Sequence, residues 1–485
     1  MSTRTIATST LWQIASQVMM AILSIAAAKF VAIGLSKELA GYYNSSYGFL
    51  QIFAILADFG LYAVSVREMS KAKDPEKMMG TLIVLRVLIT ILALGSAVIC
   101  VFLIPSWQGT PFPIGVAIAS LVPFFTLLAG ILRTVFQVKY KMHFVFIAEV
   151  LQRLLTTAGI GLFIYMGIRL STDERVFQAF LWIGGAGAAL LFLVSFIYAS
   201  RLMRIRPHFE RTLFRQILLL AAPYGVTYLF ISLYRQLDVA FIALLRPDFA
   251  LQNAYYGFAG RVEDMAFLVP TLLLNSVLPI LTKRLDDKAD VRELLGKTLL
   301  ILLLLGLTFF LFAFFWAKPL TIMFATKAYL STADHAGTDR AFQLMSIPML
   351  LNGIVLFCFY VSLAQHHWRQ LVANFAVGVV LSVLLNLMWT PAYGFVGAAS
   401  ALIVVHSFLT LMLLPQTLKR TPATLHIRSL LRCIIFAIVL GLFLYFSGPL
   451  MTSWKTIVTG LVVAVPVMAV AAWGAGLQRE FVKAG

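Results

Sequence analysis

The chain is a succession of long apolar runs separated by short polar ones. The runs fall near 11–34, 42–65, 79–104, 113–138, 147–168, 177–200, 216–245, 253–281, 298–320, 341–363, 370–390, 395–415, 431–448 and 456–476, fourteen in all. A helix that crosses the hydrocarbon of a bilayer needs about 20 apolar residues. Inside lipid every backbone N–H and C=O must find a partner, which leaves helices or closed barrels. These runs are uniformly apolar, whereas barrel strands alternate over about ten residues, so each run is expected to be a helix. The pattern therefore predicts an all-α polytopic membrane protein with about 14 transmembrane helices.

Composition agrees and removes whole classes. Hydrophobic residues make up 61% and charged residues 12%, against roughly 45–50% and 25% in soluble domains. A secreted domain, a cytosolic enzyme and a coiled coil are excluded. The net charge is +18, from 38 Lys and Arg against 20 Asp and Glu. In a soluble chain that balance points to nucleic acid; here its placement matters more. With the N-terminus inside, the inside segments hold 24 of the 38 and the outside segments 8. Cytoplasmic loops keep Lys and Arg, so the count of fourteen and an orientation with both termini cytoplasmic support each other. No nucleic-acid partner is expected. Cys100, Cys358 and Cys433 all lie in apolar runs and form neither a disulfide framework nor a metal cluster. Leu11–Gly34 is too long for a signal peptide and lacks a small-residue cleavage site, so it reads as the first span.

The chain looks duplicated. Ala40-Gly41-Tyr42-Tyr43 opens the second run, and Asn253-Ala254-Tyr255-Tyr256 opens the eighth. Gly187-Ala188-Ala189 in the sixth matches Gly397-Ala398-Ala399 in the twelfth. Pro123, Gly130, Phe136 and His143 match Pro348, Gly353, Phe359 and His366. Six helices separate the copies, so both have the same orientation and form a parallel repeat. The expected organisation is a six-helix half at 1–206, a second at 207–420, and helices 13 and 14 at 421–485. Two such halves around a central cavity form a transporter architecture that works by alternating access.

Several motifs mislead. Asp58-Phe59-Gly60 matches a kinase magnesium triplet but stands alone in an apolar run. Gly184-Gly185-Ala186-Gly187-Ala188-Ala189 resembles a dinucleotide turn, but no strand precedes it, and small residues in membrane helices let helices pack closely. Asn44-Ser45-Ser46 is a sequon of a kind that arises by chance, and His366-His367 reads as an interfacial pair. No nucleophile elbow, zinc spacing or long catalytic loop is present, so no catalytic residue, metal or cofactor is expected.

An ordered set of motifs carries a family resemblance. It comprises Asp58-Phe59-Gly60-Leu61 with Arg67 and Ser70; Tyr234-Arg235-Gln236-Leu237-Asp238-Val239; Tyr255-Tyr256 through Arg261 and Glu263 to Val277-Leu278-Pro279 and Lys283-Arg284; and Pro391-Ala392-Tyr393-Gly394-Phe395-Val396-Gly397-Ala398-Ala399. Together these resemble the polysaccharide-type flippases of the multidrug/oligosaccharidyl-lipid/polysaccharide exporter superfamily, over most of the chain. The resemblance implies translocation of an isoprenoid-diphosphate-linked oligosaccharide, an O-antigen or exopolysaccharide repeat unit, to the outer leaflet of a bacterial inner membrane. It implies membrane lipids and proteins of polysaccharide synthesis and polymerisation as partners. Flipping of the lipid-linked peptidoglycan precursor and multidrug export are the alternatives within the superfamily. A glycan polymerase or acyltransferase and a scaffold for a synthesis complex are the alternatives outside it.

Charges within the spans are the candidate chemistry, since each costs at least about 2.5–3.5 kcal/mol at the centre of a membrane helix. The basic ones are Lys29, Arg86, Arg133, Arg153, Arg235 and Arg261; the acidic ones are Asp58, Glu149, Asp238, Glu263 and Asp264. Arg235 and Asp238 are three apart on one helix, as are Arg261 and Asp264. One reading makes these internal ion pairs that hold the bundle, with Arg86, Arg133 and Arg153 shallow enough to snorkel. The other makes them a cationic cavity for a diphosphate, because the guanidinium fork suits phosphate oxygens. On that reading Arg235, Arg261 and Lys29 hold the headgroup, and Arg86, Arg133 and Arg153 form an inner entry station. Asp58, Asp238, Glu263 and Asp264 are then candidates to carry a coupling ion, proton or sodium.

Overall fold

The computed structural model describes residues 3–365 and 367–478. His366 and the last residues of the expected segment 421–485, from 479 on, lie outside the described residues. The described chain is helical. Its first stretch contains α1 (Thr3–Gly34), α2 (Lys37–Asp58), α3 (Leu61–Lys71), α4 (Pro75–Leu103), α5 (Phe112–Ala119), α6 (Leu121–Val138), α7 (His143–Tyr165), α8 (Glu174–Leu202) and α9 (Arg211–Leu245). There follow α10 (Phe249–Asp286), α11 (Arg292–Phe315), α12 (Ala317–Phe324), α13 (Thr338–Ala364), α14 (Trp368–Tyr393), α15 (Phe395–Arg420), α16 (Ile427–Ser447) and α17 (Trp454–Gly474).

Every expected span has its helix. Among the described residues, 12 are long and apolar enough to cross a membrane, with α5 and α6 joined as one, and α1 adds a shorter apolar stretch at Met19–Gly34. The remaining span, α2, is diluted by Tyr42, Tyr43, Asn44, Ser45, Ser46 and Tyr47; of these Tyr43, Asn44, Ser45 and Ser46 are buried in protein. Two runs break where the pattern showed continuity. The run 42–65 ends α2 at Phe59 and Gly60, both in the left-handed region (φ 35° and 69°), and restarts as α3. The run 113–138 divides at Ser120; Pro123 cannot donate to the carbonyl four residues back, so the ladder is interrupted there.

Packing divides the chain into two compact units, ending at Ala254 and beginning at Tyr255. In the first, α1 lies along α7, α6 and α7 pack on α8, and α4 packs on α6. In the second, α13 and α14 pack on α15, and α11 packs on α13. Three of these pairings recur in chain order: α6 with α8 and α13 with α15, α7 with α8 and α14 with α15, α4 with α6 and α11 with α13. Gly187 seats α8 on α7, where a Cβ would meet the Thr156 hydroxyl at 2.4 Å; Gly397 seats α15 on α14, where it would meet the Trp389 carbonyl at 2.4 Å. The Gly-Ala-Ala motifs are therefore packing seats. α16 lies on α11 and α17 on α16.

α9 follows the duplication boundary expected at 206/207, yet it packs on α2, α3 and α4 of the first unit. Its C-terminal end is held by Trp107, whose indole N–H donates to the Ala243 carbonyl (2.8 Å). The first turn of α10 completes the same seam. A Cβ on Gly41 would come within 1.6 Å of the Ala250 carbonyl, and one on Gly48 within 2.4 Å of Val239. Beside them, buried Asn44 donates to the Asn253 carbonyl (3.2 Å), and the Asn253 amide donates to Ser45 Oγ (2.9 Å) and the Val239 carbonyl (3.1 Å). Asn44 is thus a buried structural amide and offers no surface for a glycan. At the opposite end of α9 Lys77 pairs with Glu210 (2.8 Å). Hydrogen bonds from Lys77 and Thr212 hold the Glu210 carboxyl below its ordinary range.

Candidate functional site

The corner between α2 and α3 makes the site. Because Phe59 and Gly60 turn the chain, Asp58 is the last residue of α2 and its carboxylate projects at a helix end. Gly225 of α9 lets the corner approach closely, since a Cβ there would lie 2.6 Å from Phe59. Across the corner, Arg86 of α4 donates from Nη2 to Asp58 Oδ1 (2.6 Å) and from Nη1 to the Ala57 carbonyl (3.0 Å). The pair is unequal: the Arg86 side chain is 1% exposed and that of Asp58 27%. Arg86 therefore does not snorkel; it is buried against a carboxylate that reaches open space.

That space is a cavity of about 300 Å³ within the first unit, lined by Tyr47, Gln51 and Asp58 of α2, Thr126 of α6 and Tyr228 of α9 among apolar neighbours. Tyr47, Gln51 and Asp58 recur at four and seven residues, so they share one face of α2. Asp58 is the charged residue of its lining.

Two tyrosines extend the network. Tyr228 hydrogen-bonds Ser232 and lies within electrostatic reach of Asp58 and of Arg235, two turns along α9. The Tyr62 hydroxyl donates to Gln137 and lies within reach of Asp58, Arg133 and Glu149. Arg133 of α6 in turn donates to Glu149 of α7 (3.1 Å), whose other oxygen accepts from the Ser16 hydroxyl of α1. Asp58 with Arg86 and Arg133 with Glu149 are thus two ion pairs of the first unit with Tyr62 in reach of both, and Tyr228 is in reach of Asp58 and Arg235.

The other expected residues sit as follows. Arg153 stands one turn beyond Glu149 on α7, half-buried, and Lys29 is half-buried on α1. Asp238 is buried one turn beyond Arg235. Arg261 belongs to the second unit, with its guanidinium over the Phe258 ring (5.8 Å); Glu263 is buried and Asp264 exposed. Sequence reasoning missed Tyr62, Tyr228 and Gln51, which are uncharged and whose relevance comes from which helices meet. The four-and-seven spacing of Tyr47, Gln51 and Asp58 was the signal available.

The geometry offers a water-accessible carboxylate backed by a buried guanidinium, inside protein at membrane depth. Such a pair has the chemistry to attract a cation to Asp58, or to exchange its carboxylate for another anion at Arg86.

A family model described as polysaccharide biosynthesis protein matches residues 6–284. No curated protein matches the chain. Among solved structures, the chain resembles the lipid II flippase MurJ in an inward closed conformation, with TM-score 0.74 and 15% identity, over 98% of this chain and 100% of that one. It also resembles an inward-facing multidrug resistance MATE family transporter of the MOP superfamily, with TM-score 0.58 and 12% identity, over 85% and 99%. A MOP superfamily transporter from Pyrococcus furiosus gives 0.54 and 12%, over 83% and 95%. At these identities the likeness establishes the fold.

Proposed function

The chain belongs to the polysaccharide biosynthesis protein family, and from that premise we propose that it is a flippase for an isoprenoid-diphosphate-linked oligosaccharide. The cargo is an O-antigen or exopolysaccharide repeat unit, carried from the cytoplasmic to the outer leaflet of a bacterial inner membrane by alternating access. Both termini are cytoplasmic. The observation that carries the reading is the ion-paired network of the first unit, where Arg86 and Arg133 are held inside the membrane by carboxylates. A membrane protein that only needed stability would do as well with apolar residues there, because burying an ion pair rarely gains net energy. Guanidinium groups whose counter-charges are exchangeable suit a diphosphate that must bind and then leave. Within the first unit Arg235 and Lys29 add to the basic set. Catalysis has no part in the reading.

A second reading has one observation in its favour: the cavity exposes Asp58 and covers Arg86. A carboxylate between tyrosines also suits an organic cation, which is export of drugs.

Proteoliposomes holding the full chain and a fluorescent polyprenyl-diphosphoryl-oligosaccharide separate the two. The flippase reading expects the probe to become accessible to an impermeant quencher, with Arg86→Ala stopping it. Accumulation of a cationic dye with a stationary lipid probe would replace that reading with drug export.

A further inference from the structure

The second unit holds a polar layer that the arginine network does not use. α10, α13 and α15 lie together there, and their contacts set a register. The Thr338 hydroxyl of α13 donates to the Tyr255 carbonyl of α10 (2.9 Å), and the Tyr360 hydroxyl donates to Asn275 (2.6 Å), offsets of 83 and 85 residues. The Tyr255 ring meets Phe395 of α15 and the Phe267 ring meets His406, offsets of 140 and 139, the latter with centroids 5.9 Å apart. One layer therefore contains Phe267, His406 and, at the same offset on α13, Asn352.

Both polar members of the layer are fully buried. Neither the oxygen nor the nitrogen of the Asn352 amide has a hydrogen-bond partner. In membrane-buried protein such a group is expensive, so its place in the fold calls for an explanation. His406 Nδ1 lies 3.0 Å from the Leu402 carbonyl one turn back. That bond fixes the proton on Nδ1 and leaves Nε2 as the basic nitrogen. Thr410, one turn further along α15, adds a buried hydroxyl.

The charged and titratable groups on the elements around His406 are few. α13 carries Asp339 and Arg340 at its outer end, with Cys358 and Tyr360 further in. α14 carries Arg369 and Tyr393 at its two ends, and α15 itself adds Lys419 and Arg420 at its inner end. α10 carries Tyr255, Tyr256, Arg261, Glu263 and Asp264, with Lys283, Arg284 and Asp286 at its inner end. Of these, Glu263 stands out. It is buried and lies four residues before Phe267, so it shares the helix face whose ring meets His406, one turn outward.

We propose that His406 is a proton-binding site coupled to transport, with the Asn352 amide oxygen accepting from the new Nε2–H and Glu263 supplying the balancing negative charge. The step is a plain protonation. A proton from water adds to the Nε2 lone pair, imidazole becomes imidazolium, and the same N–H bond breaks when the proton leaves on the other side. Asn352 fits the role because its amide has capacity to spare and no charge of its own. The inference rests on the flippase reading and names the ion that drives it.

The test uses proteoliposomes of the full chain with fluorescent polyprenyl-diphosphoryl-N-acetylglucosamine as probe. The membrane potential is clamped at zero and a pH gradient imposed. One proton per substrate gives an accumulation ratio that changes about tenfold per pH unit. His406→Gln is expected to lose this response while exchange without a gradient persists. Glu263→Gln is expected to keep it but move its midpoint about one unit to lower pH, because the imidazolium loses a nearby negative charge. An intact gradient response in His406→Gln overturns the proposal, as does an unmoved midpoint in Glu263→Gln, which decides alone if His406→Gln does not fold. A wild-type response to sodium in place of protons also overturns it. A probe that moves but ignores every pH gradient sinks the proton site alone; a probe that never moves sinks the flippase reading beneath it.

Discussion

Cutting the Asp58–Arg86 pair from either side is expected to have unequal consequences, and the inequality follows from exposure. Asp58→Ala leaves a guanidinium that is 1% exposed with the Ala57 carbonyl as its remaining partner. Removing one member of a buried pair in this way costs about 3–5 kcal/mol. Arg86→Met leaves a carboxylate that is 27% exposed at the wall of the cavity. Water can solvate it, so the cost falls to about 1.5–3 kcal/mol, the value of a hydrogen bond to a charged group. Asp58→Asn keeps an acceptor for Nη2 and loses about half the bond, since charge-assisted hydrogen bonds are roughly twice as strong as neutral ones. Reversible unfolding in mixed micelles, followed by tryptophan fluorescence, measures all three and the Asp58→Ala/Arg86→Met double variant. The double variant is expected to be more stable than Asp58→Ala alone, because the stranded charge is gone. Equal costs for the two single variants, or a coupling energy below about 0.5 kcal/mol, would refute the reasoning.

Gly41→Ala should cost more than about 3 kcal/mol or prevent folding, because its Cβ meets the Ala250 carbonyl at 1.6 Å. Gly95→Ala, where nothing lies within 4 Å, should gain about 0.5–1 kcal/mol; thermal melts in detergent compare the two. The Glu210 carboxyl is held below its ordinary range, so its contribution is present above the unfolded carboxyl value and fades as pH falls through the lower folded value. Lys77→Ala should accordingly raise proteolysis of the segment before α9 at neutral pH, and the difference from wild type should vanish in acid. Single cysteines at Lys73 and Lys288, in a background without the native three, should resist an impermeant thiol reagent in intact cells, while those at Gln108 and Thr332 should react; labelling at Lys73 reverses the proposed orientation. Arg235→Ala and Arg261→Ala should each stop glycan export with the protein still inserted, and lysine at either position should restore part of it; export at wild-type rate by the double alanine variant removes both from the substrate path.

The helices were legible because lipid imposes one rule on every span, and a run of about 20 apolar residues satisfies it without reference to neighbours. Exceptions came where local chemistry intervened, at Phe59-Gly60 and at Pro123. Gly187 and Gly397 marked close helix contacts in the sequence, since a side chain at either would collide with the neighbouring helix. Partners were another matter. Depth along a helix left Arg86 free to snorkel, and only the fold of the α2–α3 corner brings Asp58 to it. Tyr62 and Tyr228 carry no charge, so nothing in the chain marked them as links. Asn352 and His406 are 54 positions apart, and their common layer exists only through the register of three helices.

The seam that joins α2 to α9 and α10 bears on how the molecule is made. Asn44 and its acceptor Asn253 are 209 residues apart in the chain. At about 5–20 residues per second of synthesis, α2 enters the membrane and waits on the order of 10–40 s before its amide and its glycine face meet their partner. For that interval a segment built to be covered by protein faces lipid or the insertion machinery. A nascent chain arrested before α9 carries α1 to α8, the first six expected spans, yet leaves Asn44 and Ser45 without Asn253. Quality control therefore has a readable mark of incompleteness here, an uncovered polar stripe that disappears only once the second repeat has begun to emerge.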